Sequence, residues 1–209
     1  ASIYGITQAD IAGEVYGDKE RKVRIPSNMT LLATMNTSDQ NVFPLDTAFQ
    51  RRWSMRMVEN TFDGHPYADV PVLDTGVPWR RFCQVVNGAI AAGSGLLSSE
   101  DKRLGVYFVR REELRYDAAA MDESAPAAER LRAQRQNSRF GEKVLKYLWD
   151  DAFKLSREEL FDTDTFHTLE AVLRRFCGLD SGRAAGAERL TVFRTEIPSA
   201  LLGRAEQNG

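Results

Sequence analysis

An α/β unit followed by an α-helical domain is the fold this sequence predicts, and three observations predict it. The first is an almost unbroken apolar run from Met29 to Met35. A run without alternation suits a strand covered on both faces, as in a parallel sheet. The second is a short helix beginning near Pro44 and ending on Arg51 and Arg52, followed by the alternating segment Ser54 to Val58, which has the pattern of a further strand. The third is a set of three amphipathic stretches that begins beyond a loop rich in Gly and Pro. Three such helices suffice for a small bundle.

Taken in order, Ile3 to Thr7 is a short β-like piece, Gln8 to Tyr16 predicts one or two helical turns, and Gly17-Asp18 is a turn signal. The basic stretch Lys19 to Arg24 is expected to be a solvated hairpin. Pro26-Ser27-Asn28 then opens the central apolar run. Ligands of parallel sheets sit beyond the carboxyl ends of the strands, and Asn36 stands at that edge. A neutral amide there can orient a water or meet a phosphate oxygen. The commoner role of such an Asn is in a turn.

In the next segment Leu45, Ala48, Phe49 and Arg52 follow the i, i+3, i+4, i+7 spacing of one helix face, with Asp46 in the first turn. Asp46 at the start and Arg51 and Arg52 at the end complement the helix dipole, worth ~0.3–1 kcal/mol each. A guanidinium at a subunit edge is also a device for stabilising charge during phosphoryl transfer in a neighbouring site.

Glu59 to Val77 contains Gly64, Pro66, Pro71 and Gly76 and predicts a loop, where composition shifts from sheet-like to helical. Residues 78–92 predict a helix whose one face holds Trp79, Phe82, Cys83, Val86 and Ile90. The KRLGVYFV stretch at 102–109 has the pattern of a basic turn before an apolar core segment. Residues 116–137, with Pro126 among Ala, Glu, Arg and Gln, predict a mobile insertion or an exposed helix whose arginines are matched by acids. Phe140 to Phe153 and Asp164 to Phe176, the latter with Asp164 as cap, predict two more amphipathic helices. Gly178 to Glu188 predicts a linker and Leu190 to Phe193 a short strand, while residues 197–209 carry no recognisable pattern.

Composition excludes some classes. The chain has 209 residues, 43% hydrophobic and 28% charged, with a formal net charge of -2. No global attraction to nucleic acid follows from that balance. Cys83 and Cys177 lie far apart and predict buried free thiols. His65 and His167 lack metal-ligand spacing, and Asp150-Asp151 has no third acidic partner, so no metal site is expected. No apolar run approaches the ~20 residues needed to span a bilayer, so the expected location is cytoplasmic, without membrane contact. There is no GxxxxGK[ST] phosphate-binding loop and no strand ending in Asp-Glu.

The order of TMNTSD (residues 34–39) and PLDTAFQRRW (residues 44–53) resembles the sensor 1 and arginine-finger segments of the McrB-like branch of AAA+ NTPases. The match covers roughly residues 20–62, with a weaker continuation to about 177 in KRLGVYFV, which is similar to a lid motif of that branch. The resemblance implies the C-terminal part of a AAA+ P-loop NTPase core over 1–62, an α-helical lid domain over 63–177 with an insertion near 117–137, and a linker and tail over 178–209. It implies Asn36 as the sensor 1 residue, Arg51 as a finger acting on the neighbouring subunit, Arg52 as its structural neighbour and Asp46 as their brace. Asp39 would couple the site to a partner, and Arg103 or Lys102 would touch phosphates from the lid, with Gly105 allowing close approach. The chain departs from the family pattern at Gln50, where many relatives carry a third arginine.

The implied cofactor is ATP or GTP with Mg²⁺, bound mainly by Walker A and B segments that lie upstream in the family. The chain is therefore expected to be the C-terminal part of a longer protein. The implied partners are further copies of the chain in a ring, often a hexamer, and a McrC-like nuclease subunit. DNA would be met indirectly, through the full complex of a modification-dependent restriction system. Two other expectations stand beside this one. The chain could be a non-catalytic assembly or partner-binding module, or part of a MoxR-like protein-remodelling ATPase.

Overall fold

A computed structural model describes residues 3–34, 47–93, 102–180 and 183–203. The chain divides into two units, Ala1–Thr37 and Ser38–Gly209. The division falls upstream of residue 62, where the shift in composition suggests a boundary.

In the first unit, helix α1 (Ala9–Tyr16) is started by Gln8, whose side chain accepts a hydrogen bond from the Asp10 N–H at 3.0 Å. Gly17, at φ 66°, ends it in the left-handed region that glycine tolerates. Ile6 and Val23 exchange backbone hydrogen bonds of 2.7 and 3.0 Å in an isolated bridge that encloses α1, and the basic stretch before Val23 forms a turn rather than the expected hairpin. The burial expected for the apolar run is not met over residues 29–34. They form no ladder among the described residues, and Leu32 is 93% exposed. An apolar strand of this kind is held only by covers on both faces.

The second unit is helical. It comprises α2 (Thr47–Gln50), α3 (Trp79–Gly93), α4 (Arg111–Leu114), α5 (Ala127–Phe140), α6 (Leu169–Phe176) and α7 (Glu196–Leu201). Short 3-10 turns link several of them. Extended pairing among the described residues is confined to isolated bridges, Pro71 with Pro78 and Phe161 with Phe193 in this unit. The predicted strand Ser54 to Val58 forms no ladder among the described residues, and Met57 and Val58 are exposed.

α3 buries the face expected of it: Trp79, Phe82, Cys83, Val86 and Ile90. Its aromatic end anchors a chain of rings through the core. Phe82 lies 5.4 Å from Phe140 and 6.0 Å from Phe193, and Phe140 lies 5.7 Å from Phe176. Edge-on and offset ring pairs at these separations add ~0.5–1.5 kcal/mol each beyond their burial. α5 does not stop at Phe140. The backbone continues through two π-helical segments, Gly141–Leu145 and Leu148–Ala152. Gly141 lets α6 approach this segment closely, since a Cβ there would stand 2.9 Å from Cys177 Sγ and 3.2 Å from Leu173 Cδ2.

Residues 59–77 form the expected loop, and it is packed: Phe62, Ala68, Val72, Leu73 and Val77 are buried in the core and the Val72 N–H donates to the Val77 carbonyl at 2.8 Å. Over residues 127–137 the exposed-helix alternative holds. Pro126 stands just before α5, and buried Asn137 both accepts from and donates to the Asp117 backbone, at 2.8 and 3.0 Å. Two other expectations, for the start of α6 and for the C-terminal segment, are corrected. α6 starts at Leu169 with Thr168 as its cap (3.2 Å to the Ala171 N–H), so Asp164 lies in the preceding turn. The C-terminal segment is neither linker nor strand. Residues 186–192 form a 3-10 helix, and Leu190, Val192, Phe193, Ile197 and Leu201 enter the core.

A buried ion pair holds that segment in place. Arg189, 1% exposed, pairs with Asp74 and donates to the Phe176 carbonyl at 2.7 Å. Asp74 also accepts from the Gly186 N–H at 2.9 Å. Burial opposes the charge on Asp74, but the hydrogen bonds from Arg189 and Gly186 outweigh it and hold the carboxyl below its ordinary range. From α3, Arg81 donates to the Ala200 carbonyl at 2.7 and 3.0 Å, tying the end of α7 to the bundle.

Candidate functional site

The residues singled out from the sequence fall in three places. Asn36, Asp39 and Asp46 lie outside the described residues. Arg51 and Arg52 follow directly on α2, a single turn closed by the Arg51 N–H donating to the Thr47 carbonyl at 3.1 Å. Lys102, Arg103 and Gly105 lie on one segment of the helical bundle, just before the 3-10 turn Val106–Phe108.

The two arginines differ in what they touch. The Arg52 guanidinium donates to the Ala48 carbonyl of its own turn. It therefore satisfies one of the carbonyls that a helix end leaves unpaired. Arg51 is exposed, and its guanidinium makes no hydrogen bond or ion pair among the described residues. Among the described residues, one guanidinium is thus occupied locally and the other is exposed.

The segment around Leu104 is held by groups that sequence reasoning missed. Leu104 is fully buried, and its backbone is clamped by two amides. Asn87 of α3 accepts from the Leu104 N–H at 2.7 Å and donates to its carbonyl at 2.9 Å. Asn60 donates to the same carbonyl at 3.0 Å. Tyr147 donates to the Lys102 carbonyl at 2.9 Å. A two-point amide pair of this kind satisfies a buried backbone that no helix or ladder serves. The sequence signal was present: Asn87 is a polar residue between Val86 and Ile90, beside the apolar face of α3.

With Leu104 pinned inward, Arg103 is carried at the surface. Lys102 reaches the Asp151 carbonyl at 3.5 Å, beside the second π-helical segment. A Cβ on Gly105 would lie 3.3 Å from Asn60 Oδ1, so the group that approaches this glycine closely is the Asn60 amide. The arrangement presents one surface guanidinium on a rigid mount. Both cysteines are buried and unpaired. Burial pushes the Cys177 thiol up to about 11 and the Cys83 thiol higher still, which makes both poor nucleophiles.

Among the described residues no helix is long and apolar enough to cross a membrane. No family model and no solved structure matches the chain. It is similar to the Type II restriction enzyme BsuMI component YdiS of Bacillus subtilis (strain 168), 28% identical over 179 residues. The match covers 79% of this chain and 42% of that protein, so the chain spans less than half the length of its relative.

Proposed function

We propose that this chain is the sensor 1, arginine-finger and lid portion of a AAA+ NTPase of the McrB type, working in a DNA restriction system. The observation that carries the proposal is the ordered pair MNTSD and PLDTAFQRRW, ending on Arg51 and Arg52. The likeness to a protein named as a restriction enzyme component supports the biological setting. The division of labour between the two arginines supports the site. Arg52 is spent on Ala48, and Arg51 is left exposed, as a finger directed at another subunit must be.

In this proposal the α/β part supplies Asn36, which orients the attacking water or contacts the γ-phosphate. Asp46 braces the helix end, and Arg51 places its charge against the phosphoryl group held by the neighbouring subunit. The lid contributes Arg103, whose position follows from the Leu104 clamp. ATP or GTP with Mg²⁺ is bound mainly by segments upstream of this chain in the parent protein. Asp39 couples the site to a McrC-like nuclease subunit. Removing a finger of this kind lowers turnover by ~10³–10⁵. Arg51→Ala in the full-length protein is expected to do so while the ring still assembles. A turnover within a few-fold of wild type would remove Arg51 from the mechanism.

A second proposal is favoured by one specific observation, the lack of any GxxxxGK[ST] in these residues. In it the segment is an assembly module without chemistry of its own. Full-length protein that assembles but hydrolyses neither ATP nor GTP would favour it over the first.

A further inference from the structure

α5 carries a basic face that the rest of the fold does not use. Arg132, Arg135 and Arg139 are exposed and stand at i, i+3 and i+7, one side of a helix. Arg115, just after α4, joins them, and the four line a single groove of about 450 Å³. None of the four forms an ion pair among the described residues. Their guanidinium groups are uncompensated in a chain whose formal net charge is -2.

Some of the acids that balance these arginines in the sequence are engaged elsewhere, while Glu129, three residues before Arg132 on α5, stays beside the row. Asp117 is the one carboxylate in the lining, and it caps the following turn by accepting from the Ala119 N–H at 3.2 Å. Asp122 accepts from the Ser124 N–H at 2.8 Å, and Glu123 pairs with Arg183 at 3.1 Å on a neighbouring surface. At the far end Arg139 also borders Glu112 and Glu142, and there Lys143 is already paired with Glu113 at 2.9 Å. Within the groove itself four arginines face one carboxylate.

The spacing selects the ligand. At 1.5 Å per residue, Arg132 to Arg139 extends over ~10 Å. Phosphates of one duplex strand recur every ~3.4 Å along the axis, so this row meets about three of them. An open row of guanidinium groups suits an extended polyanion, whereas a small anion needs donors that converge on one point. No aromatic side chain lines the groove, so it offers no platform for stacking unpaired bases. We propose that the face formed by Arg115, Arg132, Arg135 and Arg139 binds the phosphate backbone of duplex DNA without reading bases. The proposal stands on this groove alone and survives if the NTPase proposal fails.

The test is the affinity of the full-length protein for a labelled mixed-sequence duplex, followed by fluorescence anisotropy as salt rises from ~50 to ~200 mM. Each phosphate contact contributes ~0.9 to the slope of log K against log salt. The triple variant R132Q/R135Q/R139Q is expected to lower that slope by ~2.7, while R132K/R135K/R139K retains it. Should the triple Gln variant lose its fold by circular dichroism, the single Arg135→Gln is expected to lower the slope by ~0.9. An unchanged slope in the folded Gln variants overturns the proposal. So does a wild-type protein that binds no duplex at ~50 mM salt, or one that uses the face only to hold an acidic protein partner.

Discussion

Replacing Asp74 with Asn removes one charge and keeps the shape of the side chain. Its partner, Arg189, is 1% exposed and has no route to water without moving the C-terminal segment. Breaking one side of a buried ion pair costs ~3–5 kcal/mol, because the remaining charge is left uncompensated. Asp74 itself is 19% exposed, so some solvent reaches the site and the expected loss is near the lower end, about 3 kcal/mol. In a domain of this size that lowers Tm by roughly 6–12 °C. Urea titration followed by circular dichroism measures it. The double variant D74L/R189L is expected to be more stable than either single Leu variant, since no unpaired charge remains. The pH dependence has a definite sign. The Asp74 carboxyl is held below its ordinary value of 3.8 in the folded chain. Its stabilisation is therefore complete above the unfolded value and is lost as pH falls through the folded one. Wild type should weaken more steeply than Asp74→Asn below about pH 4. An Asp74→Asn variant within ~0.5 kcal/mol of wild type would refute the role of this pair.

Three further outcomes are expected. Asn87→Ala leaves the buried Leu104 N–H without its partner, costs ~1–3 kcal/mol, and raises hydrogen exchange at Leu104. Exchange unchanged there would mean that Asn87 does not hold the segment. Gly141→Ala forces a Cβ against Cys177 and Leu173 and should cost ~1–3 kcal/mol by overpacking, read from the denaturation midpoint. With its thiol pushed up to about 11, Cys177 is about one part in a thousand thiolate at pH 8. Neither cysteine should react with a thiol reagent until the protein unfolds, and fast labelling of the native chain would contradict the burial.

Helix faces were legible because their signal is local. The five buried residues of α3 repeat at helical spacing within one stretch of sequence, and Phe140, Val144 and Leu148 do the same. Contacts made at long range left no such mark. Arg189 lies in a polar, Gly/Ala-rich stretch that looks solvated, and its partner Asp74 is 115 residues away. Asn60 and Leu104 are 44 apart. The C-terminal core residues escape pattern reading because a 3-10 helix and a six-residue α7 are too short to show a period. The apolar runs over 29–34 and 54–58 have strand character, yet strands are specified by their neighbours, and no ladder forms there among the described residues. In the candidate site, the motif order singles out Arg51 and Arg52. Only their surroundings distinguish the occupied guanidinium from the exposed one.

The most direct test of the NTPase proposal is a mixing experiment on the full-length protein. One population carries Arg51→Ala and supplies an intact phosphate-binding loop. The other carries an inactivated phosphate-binding lysine in its upstream segment and supplies an intact Arg51. Each alone is expected to hydrolyse ATP or GTP at least ~10³-fold more slowly than wild type. If Arg51 serves the neighbouring subunit, mixed rings regain hydrolysis at the interfaces that combine the two intact halves. If the mixture stays as inactive as its components while light scattering shows that mixed rings have formed, Arg51 does not act across the subunit interface.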